Sequence, residues 1–464
     1  MDGVVHVETG IRESSVPSVE SRNRQACRCI GVTNVDGSRK ILPNRRNSVR
    51  NAEIRLMKAI KDKKRGRGIT EKRLLAACVF LAAAGTLLLA ADRVPGFAQW
   101  YTTHIYAKLV VIYGRSMGWI PFSVSEAGLY LLLLLLPATG IRALWRAVQK
   151  ERTTDERKNF GRGGTILLRW ASGIFLTASV LLFLYVGNCG INYRRTSFSE
   201  AAGIQTDPYA VERLQEVCVW LTTEVEERAW KVKRNEEGEM RLWDGEEIHG
   251  AGSASKMKGY PARIAEEKQT LEKAAVQAMQ ELAEKYPELK GVYPNPKPVF
   301  VSEILSFQGL TGIYSPFTME ANYNQDMPEY NLPFTVCHEL SHLRGFMQEE
   351  EANFIAFLAC AKSGRTDFQY SGYLTAWIYS MNALRRADPT LWKQVRAKMP
   401  ETVEADLQEN ALFWECYDGK VAEVSDRIND TYLKVNGQSA GVQSYGKMVD
   451  LVIAYYYTYS GSSQ

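Results

Sequence analysis

The sequence predicts a mainly α chain, with three transmembrane helices followed by a mostly helical domain that carries a small β element. Two observations lead there. Three apolar runs of membrane-crossing length fall between residues 74 and 187, each with basic residues near its ends, a combination that buried helices of a soluble protein do not show. Beyond them, apolar residues recur at helical spacing and only two short stretches read as strand. The 464 residues are enough for two or three domains, expected at 1–70, 71–195 and 196–464. A net charge of +5 with 23% charged residues is no nucleic-acid signature, so no such partner is expected. The eight cysteines contain no C-x-x-C pair. They read as free thiols, mostly buried, rather than as a disulfide framework or a thiolate metal site.

Residues 1 to about 56 are polar and lack both helical and strand periodicity, so the region 1–70 is expected to be a disordered, basic cytoplasmic tail. Met57 opens "MKAIKDKKRGRGITEKR", which has the form of an ordinary start of a membrane protein. Initiation at Met57 is therefore an expectation that N-terminal sequencing of the expressed protein decides.

The first apolar run, "LLAACVFLAAAGTLLLAA" (74–91), carries no charge. The second, "AGLYLLLLLLPATGI" (127–141), is shorter and extends back to Phe122 and forward to Trp145, past Glu126 and Arg142. The third, "WASGIFLTASVLLFLYVG" (170–187), is bracketed by Arg169 and by Arg194 and Arg195. Eight Lys and Arg residues lie between Lys58 and Arg73, and seven between Arg142 and Arg162. The intervening loop has only Arg93, Lys108 and Arg115. The excess of basic residues on cytoplasmic loops then places the tail and the second loop inside, and everything after Gly187 outside. The loop "WYTTHIYAKLVVIYGRSMGWIPF" is rich in Trp and Tyr and is expected along the membrane interface, with His104 an interfacial residue.

The last domain begins with Asp207-Pro208, an N-cap followed by proline at the first helical position, and with Val211, Leu214, Cys218, Leu221 and Val225 on one stripe. A second helix is expected from about Ala262 to Tyr286. The segment between them is polar and glycine-rich. "KPVFVSEILSF" reads as a short strand.

The informative stretch is "NLPFTVCHELSHLRGFMQEEEANFIAFLAC" (331–360). On a helix His338 and His342, four apart, project from one face and can grip one ion. Glu339 lies beside them, placed to take a proton from water that the ion has acidified. A catalytic zinc has three protein ligands. Of the other histidines, His6 and His104 lie outside this domain and His249 in the polar loop, so a carboxylate is the expected third ligand. An unbroken helix would carry Glu349 about 10 Å along the axis from His342, too far to share an ion. Gly345, as a C-terminal cap, lets the first helix stop and the chain fold back. Glu349 is then the expected ligand, with Asn353 one turn on and on the same face. A second helix that starts one or two residues later would present Glu351 instead.

The stretch resembles the gluzincin side of the zincin superfamily, where a second helix supplies Glu in an E-x-x-[AS]-[DN] context, here Glu349-Glu350-Glu351-Ala352-Asn353. That resemblance implies a buttressing role for Asn353 toward a ligand histidine. The spacing departs from it, since His342 and Glu349 are only seven residues apart. Gly345 also fits the metzincin pattern, but Gln348 stands where its third histidine would be. From about Leu74 onward the chain further resembles a bacterial membrane family, domain of unknown function 3810. The matching pieces, in order, are "IPFSVSE", "GNCGINYRR", "GIYSPFTMEANYN", "LPFTVCHELSHLRGF", "EEEANFIAFLAC", "YSGYL" and "YLKVNGQ". This resemblance implies a membrane-anchored, zincin-like protein.

The expected function is that of a membrane-anchored, zinc-dependent metallopeptidase of peptides or proteins outside the cytoplasm. Its sites are Glu339 as base, His338, His342 and Glu349 as Zn2+ ligands, and Asn353 in support. The alternative is a non-enzymatic zinc-binding sensor or scaffold. "TGIYSPFTMEANYN" (311–324) occupies the place of a substrate-pairing edge strand, and Tyr370, Tyr373, Tyr432 and Tyr445 are the tyrosines considered for oxyanion stabilisation.

Overall fold

Among the described residues, three helices are long and apolar enough to cross a membrane: Gly68–Arg93, Val124–Gln149 and Gly163–Arg194. They contain the three apolar runs of the sequence. The computed structural model to which they belong describes residues 45–152, 162–242 and 260–459. The chain divides into residues 1–62 and 63–464. Residues 1–44 of the expected disordered tail lie outside the described residues. From Arg45, however, the chain is helical through to Arg93. The stretch has no proline and many good helix formers (Ala, Leu, Met, Lys, Arg), and it continues from a long apolar helix, so no separate nucleus has to form.

Leu131 to Leu136 of the second span all point away from the protein, as lipid-facing side chains do. Pro137 sits inside that helix, a position that membrane spans tolerate better than soluble helices. The third span behaves differently at its end. Its closing turn Val186–Gly190 widens to π geometry, and all five residues are buried. Ile191 and Tyr193 follow into the core. Residues 63–464 thus form one unit, with the end of the third span inside the core of the helical region.

The loop between the first two spans is helical too, as Phe97–Tyr101, Thr102–Tyr106 and Ala107–Met117. Its Trp and Tyr content predicts a place along the interface, yet Tyr106 is fully buried. Its hydroxyl meets the Tyr314 hydroxyl at 2.9 Å and donates to the Leu343 carbonyl at 3.0 Å. Those two partners, more than 200 positions away, draw the segment inward. His104 stays exposed, stacked on Trp100.

The helix expected from Asp207-Pro208 begins at Val211. Tyr209 donates to Asp450 at 2.7 Å, and Ala210 is extended, so the lead-in is held out of the helix. Leu214, Cys218, Leu221 and Val225 are buried as the stripe predicts. The helix Tyr260–Lys285 follows, and between the two a short hairpin pairs Lys233 with Arg241 and Arg234 with Met240.

A three-stranded sheet precedes the motif. Its central strand Glu320–Tyr323 is buried along its whole length. It pairs antiparallel with Gly312–Ser315 and parallel with Lys297–Pro298. Within "KPVFVSEILSF" only Lys297–Pro298 is strand, and Glu303–Phe307 is a short helix. The cause is a competing acceptor. The backbone N–H groups of Phe300 and Val301 donate to the Glu126 carboxylate at the head of the second span, at 2.7 and 2.9 Å. Glu320 makes the reciprocal tie, accepting from Lys297 (2.6 Å) and from the backbone of Ser125 (2.9 Å). The sheet is thereby fastened to the second span.

Candidate metal centre

The site is built on two helices and the turn between them. The first, Asn331–Leu343, is buried from Leu332 to Leu343. His338 and His342, one turn apart, bring their ring centroids to 4.5 Å, nearly perpendicular. After Arg344 the chain reverses at Gly345, whose φ is +87°. The Gly345 N–H donates to the His342 carbonyl at 2.8 Å and the Phe346 N–H to the Ser341 carbonyl at 3.2 Å. These are the two bonds of a Schellman cap. Arg195, directly after the third span, lies over the Phe346 ring at 3.8 Å and donates to the Arg344 carbonyl at 3.0 Å. With Tyr106 on the Leu343 carbonyl, the turn is clamped by segments next to the spans. A side chain at 345 would meet Thr102, Tyr106 and Arg195 at 3.1–3.3 Å in a left-handed conformation. Gly345→Ala is therefore expected to destabilise the fold by at least about 1–2 kcal/mol, seen as a lower thermal midpoint in detergent. An unchanged midpoint would contradict this account of the turn.

The second helix, Glu349–Lys362, is buried continuously from Glu351 to Cys360. Its apolar side chains (Phe354, Ile355, Phe357, Leu358) each contribute roughly 1.5–3 kcal/mol by burial, which fixes the rotation of the helix. That rotation separates the three glutamates. The Glu349 carboxylate Oε2 lies 3.3 Å from Nε2 of His338 and 3.6 Å from Nε2 of His342. Glu350 turns away to accept from Gln438 at 2.6 Å. Glu351 accepts from the backbone and hydroxyl of Ser199 at 2.9 and 2.5 Å, capping the short helix Phe198–Ala201. Asn353 reaches His338 with its side chain. The His342 Nδ1 is engaged by the Phe346 carbonyl at 2.8 Å, which leaves Nε2 to face the carboxylate.

Three donor atoms within 4.8 Å of one another, all on buried residues, form a metal-competent group. Two ligands at about 2.0–2.1 Å from a tetrahedral zinc are roughly 3.3–3.4 Å apart, close to the two separations seen here. Glu349 Oε2 is buried and faces both imidazole nitrogens without hydrogen-bond geometry to either, and a cation between the three atoms would satisfy it. The residues fit zinc.

Charge in the site is strongly coupled. Burial opposes ionisation of Glu349, but the His342 charge and the close approach of both imidazoles hold its carboxyl down at about 2. Burial pulls His342 down, yet the charge of the adjacent Glu349 prevails and raises it to about 9. His338 is lowered by burial and then by the charge of His342. Glu339 has no direct cation. Burial lifts it to about 8, with His342 opposing and Glu349 adding to the rise.

Glu339 faces the edge strand Gly312–Ser315. A Cβ on Gly312 would fall 2.5 Å from Glu339 Oε1 and 2.9 Å from the Asn322 carbonyl, so only glycine lets the carboxylate lie against this strand. The other oxygen, Oε2, is buried without a partner. A carboxylate of raised basicity thus lies between the histidine pair and an edge strand.

Three of the tyrosines that the sequence offers for the oxyanion have other partners. Tyr370 bonds Asp406 and Arg234. Tyr373 packs on Trp220 and Phe357. Tyr432 meets Cys189 at 3.4 Å, and the Tyr445 side chain falls outside the described residues, as do His6 and His249. Tyr379, on the helix Thr366–Ala387, has its phenol raised to about 12, by burial and then by the Glu349 charge. Nothing in its local sequence distinguishes it from the other tyrosines.

Over residues 101–453 the chain matches the family described as "Protein of unknown function (DUF3810)", and it belongs to that family. No curated protein and no solved structure matches it.

Proposed function

We propose that this member of the DUF3810 family is a membrane-anchored zinc metallopeptidase of the zincin type, acting on peptide bonds outside the cytoplasm. The observation that carries the reading is the convergence of His338, His342 and Glu349, with the carboxylate 3.3 and 3.6 Å from the two imidazoles. His338, His342 and Glu349 would hold the ion, and Asn353 would orient His338. Bound there, zinc supplies Lewis-acid polarisation of a carbonyl and acidifies water. Glu339, raised by burial, accepts a proton at its carboxylate and returns it to the leaving amine. The strand Gly312–Ser315 offers backbone groups to an extended peptide alongside Glu339, which gives affinity with little demand on sequence.

Cleavage of an unstructured polypeptide by the purified full-length protein tests the activity. It is expected to stop with a chelator and to return with zinc; cleavage indifferent to the chelator would contradict the proposal. Orientation has its own test. In a Cys416→Ser background, Glu236→Cys should react with an impermeant maleimide on intact cells. Reaction only after lysis would place the domain inside and remove extracytoplasmic peptides as substrates.

A zinc sensor or scaffold is the second reading. The clamp of Tyr106 and Arg195 on the turn at Gly345 favours it, because span-linked residues hold the metal helix directly. Against it stands Glu339, which a purely structural ion does not need.

A further inference from the structure

The helix Lys420–Val435 carries an apolar stripe that faces away from the core. Val421, Val424, Ile428 and Val435 are 56%, 47%, 66% and 76% exposed, and with Tyr432 they recur at intervals of three and four, one face of a helix. Glu423, Asp426, Asp430 and Lys434 occupy the opposite side. Leu433, fully buried, anchors the helix from a third direction. Its stripe looks across a groove of about 750 Å³ toward Leu88 and Leu182 of the first and third spans. At the rim, Arg194 and Asn436 also line a second cavity, of about 300 Å³, bordered by Asp92, Glu350 and Lys447. An apolar trough thus opens into a cup that holds both signs of charge.

We infer that the Lys420–Val435 helix lies in the membrane interface and that the groove beneath it holds an acyl chain of a phospholipid, with the headgroup in the ionic cup. The position of the groove selects the occupant. Its far wall is the flank of two membrane-spanning helices, and Leu182 there is itself 45% exposed, so a chain bordering these spans meets the stripe directly. The length, amphipathicity and charged outer face are those of an interfacial helix. Paired acids and bases at the rim match the phosphate and ammonium of a zwitterionic head better than they match a second apolar surface.

The test uses the full chain in phosphatidylcholine vesicles that contain a phosphatidylcholine with a diazirine on one acyl chain. After irradiation and digestion, adducts are expected on Val424, Ile428 and Val435 as well as on the spans, about tenfold above those on Glu423 and Asp426. The double variant Val424→Glu, Ile428→Glu should lose the adducts on this helix and keep those on the spans. Adducts confined to the spans, or equal labelling of both faces of the helix, would overturn the inference. So would cross-linking of the stripe to a second copy of the chain in place of lipid. Should the variant fail to reconstitute, the wild-type adduct positions decide alone.

Discussion

Glu339→Gln is expected to keep zinc and to lose peptide hydrolysis by about 10²–10⁴-fold, the range that a positioned general base contributes. The two halves of this expectation have separate causes. The carboxylate oxygen between the imidazoles belongs to Glu349, so an amide at 339 removes no donor from the metal group. The Glu339 side chain rests against Gly312, and glutamine has the same shape, so the fold tolerates it. What disappears is the capacity to accept a proton. Glutamine also ends the burial of an ionisable group, so the variant should be no less stable than the parent. Full activity in Glu339→Gln would mean that the site is not a zinc hydrolase.

The second large effect separates the three neighbouring glutamates. Glu349→Gln is expected to weaken zinc by more than the ~10²-fold that loss of a supporting residue costs, whereas Glu350→Gln and Glu351→Gln should retain it. Glu350 is committed to Gln438 and Glu351 to Ser199, so neither carboxylate is free to turn toward the histidines. Glu351→Gln should instead lower the thermal midpoint, because it weakens the cap on Phe198–Ala201. Asn353→Ala lies between these cases, with a loss of about 10–100-fold in affinity. Equal zinc loss in all three glutamate variants would show that the effect is on folding rather than on the ion. Zinc loss in Glu351→Gln alone would shift the second helix by two residues.

Much of the geometry of this site is legible in the sequence, for identifiable reasons. The spans declare themselves by length and by the absence of charge. The approach of Glu349 to the histidines follows from local rules: two histidines four apart, a glycine that can take φ of +87°, and a second helix whose apolar side chains fix its rotation. The features of the site that sequence alone did not reveal are long-range. Tyr106 and Arg195 reach the turn across 237 and 149 positions, and no periodicity encodes such a meeting. Glu126 diverts the N–H groups of Phe300 and Val301 from a strand that β-propensity favours, 174 and 175 positions away. Gly312 lies in the expected edge strand, and its need for a missing side chain appears only when Glu339 is placed against it.

These long-range contacts also explain why the membrane-proximal segments cannot be treated as a simple tether. Tyr106 precedes the second span, and Arg195 follows the third. Both end on backbone carbonyls of the turn that sets the distance between the histidines and Glu349. Their loss should therefore reach the metal group even though neither side chain is one of its donors.

The most direct test of the central claim is a comparison of new protein N-termini at the surface of cells expressing the wild-type chain or Glu339→Gln, at matched protein and zinc levels. The account predicts a set of cleavage products that the wild type generates and that both Glu339→Gln and a chelator abolish. Identical sets of termini from the two chains, with zinc present in both, would contradict it.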